Sequence, residues 1–213
     1  MSFNAIASNL QSDTFIQRRL EGKTAFIKEY GEIAKRQLEL LPYGNADWNQ
    51  KTYGEGNIAF ANGASFMYIQ GSWAIPEIKK ANPEIELGIF PFPATDDQSN
   101  NRLVSGIDSL ITVSRSSEHP SEAKAFLNFL LESENVKNYL SNQNAIATEE
   151  NMHLENPIFD DLNDAFQRKA IVDYADHSLP NEMLLEQIVQ KFLFKGNIED
   201  YLTDLDNAWD STH

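Results

Sequence analysis

The sequence of 213 residues contains no cysteine. Disulfide bonds, a thiolate nucleophile and cysteine-ligated zinc are therefore excluded. Basic residues are also scarce, because 17 Lys and Arg stand against 32 Asp and Glu, which gives a formal net charge of −15. Nucleic acid and anionic membrane surfaces repel a chain of this charge. We therefore expect no nucleic-acid partner and a small ligand that is neutral or cationic.

Long apolar runs and catalytic motifs are missing as well. No segment approaches the length of a membrane span, and the N-terminus shows no signal-peptide pattern. No Gly-x-Ser-x-Gly turn or phosphate-binding glycine loop occurs, and the four histidines are scattered without metal-ligand spacing. We therefore predict no cofactor and no metal site, and we expect a protein that is not an enzyme.

The most informative stretch is residues 53–76. A short helix carrying Phe60 is expected to end at Asn62-Gly63, a pair typical of helix C-termini. The compact apolar run Ala64–Ile69 then predicts a buried strand.

A turn and a second helix follow this predicted strand. Gly71 breaks the apolar run, and Ser72 has the chemistry of an N-cap for a helix that runs toward Lys80. Trp73 then lies in the first helical turn, just beyond the carboxyl end of a strand, where α/β folds bind ligands. From the residues alone, Trp73 is either a ligand contact or a core tryptophan packed under the helix.

The amino-acid sequence of this stretch resembles that of a known family. It is similar to the extracellular solute-binding proteins of ABC importers, in particular their carbohydrate-binding, maltose-binding-protein-like group. The matching residues are Phe60, Gly63, Met67, Gly71, Ser72 and Trp73. The resemblance implies an α/β fold: a type II periplasmic-binding-protein-like lobe, helix-rich with a small central sheet. It also implies that Trp73 is the platform on which a sugar ring stacks, with Gly71 and Ser72 beside it.

The resemblance extends over most of the chain and implies how it is organised. Residues 1–102 and 152–213 correspond to the second, C-terminal lobe of the family, and residues 103–151 to a segment of the first lobe. Family members are considerably longer, so we expect this chain to be the latter half of a longer protein. The two lobes of the intact family close on a solute in the cleft between them and present it to a membrane permease. The implied location is extracellular or periplasmic, with a lipid anchor on the full-length protein.

Further candidate ligand contacts lie on both sides of the signature stretch. Trp48 stands in a polar loop, as a loop anchor or a ligand contact, and Asp47 beside it is a candidate acceptor for sugar hydroxyls. The run Leu103–Val113 predicts a strand interrupted by Gly106, which indicates a bulge or a close backbone approach. Asp108 is either a second hydroxyl acceptor or a solvated turn acid.

Two other functions remain open from the sequence. A glycan hydrolase would use paired carboxylates such as Asp47 and Asp108. A helical interaction module would lack the sheet expected from Ala64–Ile69 and Glu86–Phe90. One departure from the family also matters: residues 179–183 contain no aromatic, although sugar binders of the group often carry one there, which argues against a long oligosaccharide. Self-association of the chain, which would cover apolar surface, is also left open.

Overall fold

The computed structural model describes residues 1–107, 110–143, 145 and 157–212. Helices dominate this part of the chain, and short 3-10 turns connect several of them. In chain order the elements are α1 Ser2–Leu10, α2 Phe15–Leu20, α3 Phe26–Glu29, α4 Gly31–Leu40, α5 Tyr53–Ala61, α6 Ile75–Ala81, β1 Leu103–Val104, α7 Pro120–Leu130, α8 Ser133–Gln143, α9 Asn163–Gln167, β2 Ile171–Val172, α10 Leu185–Lys195 and α11 Ile198–Asp210.

The chain divides into two compact units. Unit 1 comprises Met1–Trp48, Ile89–Gly106 and Asp161–His213, and unit 2 comprises Asn49–Gly88 and Ile107–Asp160. The assignment of residues 1–102 with 152–213 to one lobe and of 103–151 to the other remains a prediction about the intact family.

Unit 1 is built on an aromatic core. Phe15, Phe26 and Tyr30 are fully buried, and each ring centroid lies 4.8–5.0 Å from the other two. Burial raises the pKa of Tyr30 well above its ordinary value, so the phenol stays neutral. In the same hydrophobic cluster, Phe192 of α10 stacks on Tyr201 of α11 with ring centroids 4.0 Å apart. The first and last helices of the chain therefore share one hydrophobic cluster.

Residues 24–41 carry apolar side chains at three- and four-residue spacing, which predicts one long helix from Thr24 to Leu41, but they form two helices instead. Helices α3 and α4 meet at Tyr30, whose backbone leaves the helical region (φ −94°, ψ 5°). An acidic side chain from α11 accounts for the start of α3. Asp206 accepts hydrogen bonds from the backbone N–H groups of Phe26 (2.8 Å) and Ile27 (3.1 Å), which satisfies two donors of the first turn.

Strands β1 and β2 form the two-stranded sheet of unit 1. They pair in parallel, with Leu103 opposite Ile171 and Val104 opposite Val172. The N–H of Ser105 also donates to the carbonyl of Val172 at 2.9 Å. The strand predicted over Leu103–Val113 is therefore confirmed for its first two residues. The rest of that run, as far as the structure describes it, forms no ladder.

Unit 2 is organised around α5 and α6. A capping box between Thr52 and Glu55 begins α5, and its hydrogen bonds lower the pKa of Glu55. The predicted end of this helix is confirmed, since α5 stops at Ala61 and Gly63 has a positive φ of 79°. Buried Ala61, Ala74 and Ile78 form a small apolar cluster that joins α5 to the start of α6.

The predicted buried strand Ala64–Ile69 is wrong. This segment has no strand ladder, and Phe66 is fully exposed and Met67 largely exposed. An apolar run becomes a buried strand only where neighbouring strands pair with it and cover it. No described residue forms a strand ladder with residues 64–69. The run Ile85–Phe92 also forms no ladder, although burial alternates along 85–90 as in a half-buried strand. The sheet expected from these two segments is therefore absent from the described residues.

Candidate functional site

The tryptophan predicted to contact ligand is positioned by the start of α6. Trp73 lies in a 3-10 turn, Ser72–Ala74, that leads directly into this helix. The next residue, Ala74, is buried in the cluster with Ala61 and therefore fixes the backbone beside Trp73. The side chain of Trp73 itself remains 37% exposed. A core tryptophan would be covered, so the structure leaves part of this indole facing solvent.

Gly71 is packed directly against this indole. A Cβ placed on Gly71 would lie 2.5 Å from Trp73 Cε3 and closer still to Cη2 and Cζ3. The six-membered ring of Trp73 therefore lies against the α-carbon of Gly71, and any larger residue would push it away. The N–H of Gly71 donates to the side-chain oxygen of Gln70 at 3.0 Å. Glycine here shapes the surface on which the indole lies.

Unit 2 also contains an open depression, which Trp73 does not line. Its volume is about 520 Å³, and it lies where α5 ends and the exposed segment after it begins. The lining residues are Phe60, Ala61, Asn62, Gly63, Ser65, Phe66, Asn82, Ile85 and Glu86. The exposed face of Trp73 is therefore a surface platform rather than the wall of this depression.

The other predicted glycine lies in unit 1, one residue beyond the end of the β1 ladder. A Cβ on Gly106 would lie 3.1 Å from Tyr174 Cδ2 and would overlap Asp173 Oδ1. The groups that approach this glycine closely are side chains rather than another backbone segment. Asp173 and Tyr174 directly follow β2, so the residues beyond the carboxyl ends of both parallel strands lie together.

A polar cluster at these strand ends was missed by the sequence reading. Asp173 Oδ1 accepts from the backbone N–H of Tyr174 at 2.7 Å and lies 2.9 Å from His177 Nδ1. The rings of Tyr174 and His177 lie with centroids 5.0 Å apart. The apolar pair Ile171-Val172 followed directly by Asp173 is the signal that could have indicated a strand end here.

The remaining predicted residues are placed separately. Trp48, in unit 1, packs its ring 5.5 Å from that of Phe194 on α10 and is 39% exposed. It acts as an anchor for its loop, and its exposed part leaves the ligand role as a prediction. Asp47 is half-buried and already engaged in an interaction. Asp108 lies outside the described residues, so its predicted role is not addressed by the structure.

Metal and membrane features are absent from the described part of the chain. None of its His, Asp and Glu residues form a group of three or more that could hold a metal ion. No helix within the described ranges is both long and apolar enough to cross a membrane.

Comparison with known proteins identifies the family. Residues 21–167 match the profile of a family described as bacterial extracellular solute-binding protein. The chain belongs to this family. A curated relative, the multiple sugar-binding protein of Streptococcus mutans, is 31% identical over 93 residues, which are 44% of this chain and 22% of the relative.

Solved structures show the same fold for this solute-binding protein. A sugar transporter from Bacillus licheniformis, in complex with stachyose, matches with a TM-score of 0.78 at 18% identity. The match covers 99% of this chain and 57% of the transporter chain. RafE in complex with raffinose matches with a TM-score of 0.75 at 16% identity, with 99% and 57% coverage. The predicted α/β, type II binding-protein class is confirmed. The chain spans just over half the length of these structures, and the segment aligned with the curated relative spans about a fifth of that protein.

Proposed function

We propose that this solute-binding protein is the substrate-binding component of an ABC importer and that it binds a sugar or a related small solute without chemical turnover. The observation that carries the proposal is Trp73, an indole fixed at the start of a helix and partly open to solvent. A sugar ring has an apolar C–H face and a rim of hydroxyl groups. A broad rigid indole suits that face, and polar groups around it suit the rim.

The names of the relatives support the same ligand class. The curated relative is a sugar-binding protein, and the two solved relatives hold stachyose and raffinose. These are neutral oligosaccharides, which agrees with the neutral or cationic ligand expected from the acidic composition of the chain. We propose a neutral sugar as the ligand, with an ABC permease as the protein partner and an extracellular or periplasmic location behind a lipid anchor.

The two alternatives are less well supported. A hydrolase would need facing carboxylates, and the family and its sugar-bound relatives are binding proteins rather than enzymes. A helical interaction module agrees with the missing sheet at 64–69 and 86–90, but it leaves the match to a solute-binding family without explanation. Self-association stays a prediction.

The test is a sugar titration followed by tryptophan fluorescence and calorimetry. Raffinose and stachyose are added to the chain and to Trp73→Ala. We expect saturable binding to the unaltered chain, weak if part of the binding surface lies outside these residues, and a clear loss in the variant. Absence of binding to every sugar tested would contradict the sugar proposal. Equal affinity in Trp73→Ala would remove Trp73 from the site while leaving the ligand class standing.

A further inference from the structure

In the polar cluster beyond β1 and β2, formed by Asp173, Tyr174 and His177, the hydrogen bonds show which atoms donate and which accept. Oδ1 of Asp173 is occupied by two donors, the N–H of Tyr174 and the Nδ1 of His177. Oδ2 of the same carboxylate accepts no hydrogen bond from any described residue. One oxygen therefore fixes the side chain, and the other is available to a ligand.

The same contact fixes the tautomer of His177. A carboxylate oxygen can only accept, so Nδ1 of His177 is the donor in this contact; in the tautomer that this contact selects, Nε2 is the acceptor. The side chains of His177 and Asp173 are 45% and 63% exposed, so a solute can reach both. The cluster thus offers two acceptors held by one hydrogen bond.

Packing holds this pair in place. The ring of Tyr174 lies against His177, and both Tyr174 and Asp173 lie against the backbone of Gly106. A side chain at position 106 would fill the space that Asp173 occupies. Gly106 therefore permits the geometry, and the parallel strands β1 and β2 bring the two loops together although they are far apart in the sequence.

We propose that Asp173 and His177 form an acceptor pair that binds two hydroxyl groups of a neutral sugar and discriminates against sugars that carry a carboxylate or a phosphate. Hydroxyl groups can donate to both acceptors, and a hydrogen bond to an ionised carboxylate is among the stronger kinds. An anionic sugar group would instead meet a carboxylate of the same sign. This assignment rests on the proposed binding of a neutral sugar and adds the residues that would recognise its hydroxyl groups.

The test compares Asp173→Asn with a matched control. Asp161→Asn removes the same charge from an exposed position of the same unit. Raffinose is titrated into the unaltered chain and both variants by calorimetry. We expect Asp173→Asn to weaken binding about tenfold or more, because the amide replaces an ionised acceptor, and Asp161→Asn to leave the affinity unchanged.

A second readout separates recognition from simple structural support. Galactose and galacturonate, which differ by one carboxylate, are each tested for their ability to displace bound raffinose from the protein. We expect galactose to compete better with the unaltered chain, and the difference to shrink in Asp173→Asn. His177→Phe keeps the ring against Tyr174 and removes both nitrogens, so it decides the question if Asp173→Asn does not fold.

The outcomes distinguish this inference from the function on which it rests. If the unaltered chain binds raffinose and neither Asp173→Asn nor His177→Phe changes the affinity or the galactose–galacturonate preference, the acceptor pair is refuted and the sugar-binding function stands. If the unaltered chain binds neither raffinose nor galactose, both are overturned together.

Discussion

Replacing Gly71 with alanine tests whether the observed position of the indole matters for binding. The new Cβ would lie 2.5 Å from Trp73 Cε3, whereas carbon atoms in favourable contact are about 3.5–4.0 Å apart. The indole must therefore move by about 1 Å or more. Because the side chain is 37% exposed, it can swing outward without unfolding the unit.

The expected loss of affinity follows from the area that a sugar would cover. A tryptophan side chain offers about 150–250 Å², and the exposed 37% of it corresponds to about 55–90 Å². At about 25 cal/mol per Å² this surface is worth about 1.4–2.3 kcal/mol, or a factor of about 10–50 in Kd. Trp73→Ala should approach the upper value, and Gly71→Ala should lie between it and the unaltered chain.

Calorimetry with raffinose, together with the emission maximum of tryptophan in the free protein, provides the assay. Gly54→Ala is the matched control, because a Cβ at this α5 position meets no atom within 4 Å. If Gly71→Ala shifts the emission of the free protein yet binds raffinose as tightly as Gly54→Ala, the contact between Gly71 and the indole plays no part in recognition. The reasoning about the platform would then be refuted.

Two further predictions concern the stability of unit 1. Asp206→Ala removes the acceptor of two backbone N–H groups at the start of α3 and should lower the free energy of unfolding in urea by about 1–3 kcal/mol. The control is Asp210→Ala, whose side chain is 64% exposed and whose loss should lower that free energy by less than about 1 kcal/mol. Equal losses in the two variants would contradict this account. Partial burial raises the pKa of Glu29, but hydrogen bonds from Thr24 and Arg18 outweigh it and hold the pKa below the ordinary 4.5. Ionised Glu29 therefore stabilises the folded state above pH 4.5, and this contribution is lost as the pH falls through the folded-state pKa. Glu29→Gln should flatten the decline of the free energy of unfolding in urea over that acidic range. An unchanged decline would refute this role of Glu29.

Local signals predicted the local structure well. The end of α5 at Gly63 follows from a glycine that can adopt positive φ. Trp73 does lie in a turn that leads into α6, but the prediction that Ser72 caps this helix is wrong, because Gly71 precedes the turn and Ala74 is the N-cap residue of α6. These features depend on residues within one or two helical turns of each other, so the sequence contains the information needed to predict them.

Features that depend on distant partners were not predictable in this way. The apolar run 64–69 looks like a strand, but a strand needs a neighbour, and its neighbour cannot be seen in the run itself. The stripe from Thr24 to Leu41 gives no sign that Asp206 begins a separate helix within it. The cluster at Asp173 was missed because Gly106, against which it packs, is brought to it by strand pairing.

The shared core of the first and last helices has a consequence for biosynthesis. Phe26 of α3 packs its ring 6.1 Å from Trp209 of α11, so α3 completes its burial against a helix that is synthesised much later. Unit 1 therefore cannot finish folding on the ribosome until α11 has left the exit tunnel, whereas all of unit 2 has been synthesised by then. Until then Phe26 lacks the contact with Trp209 that completes its surroundings in the core.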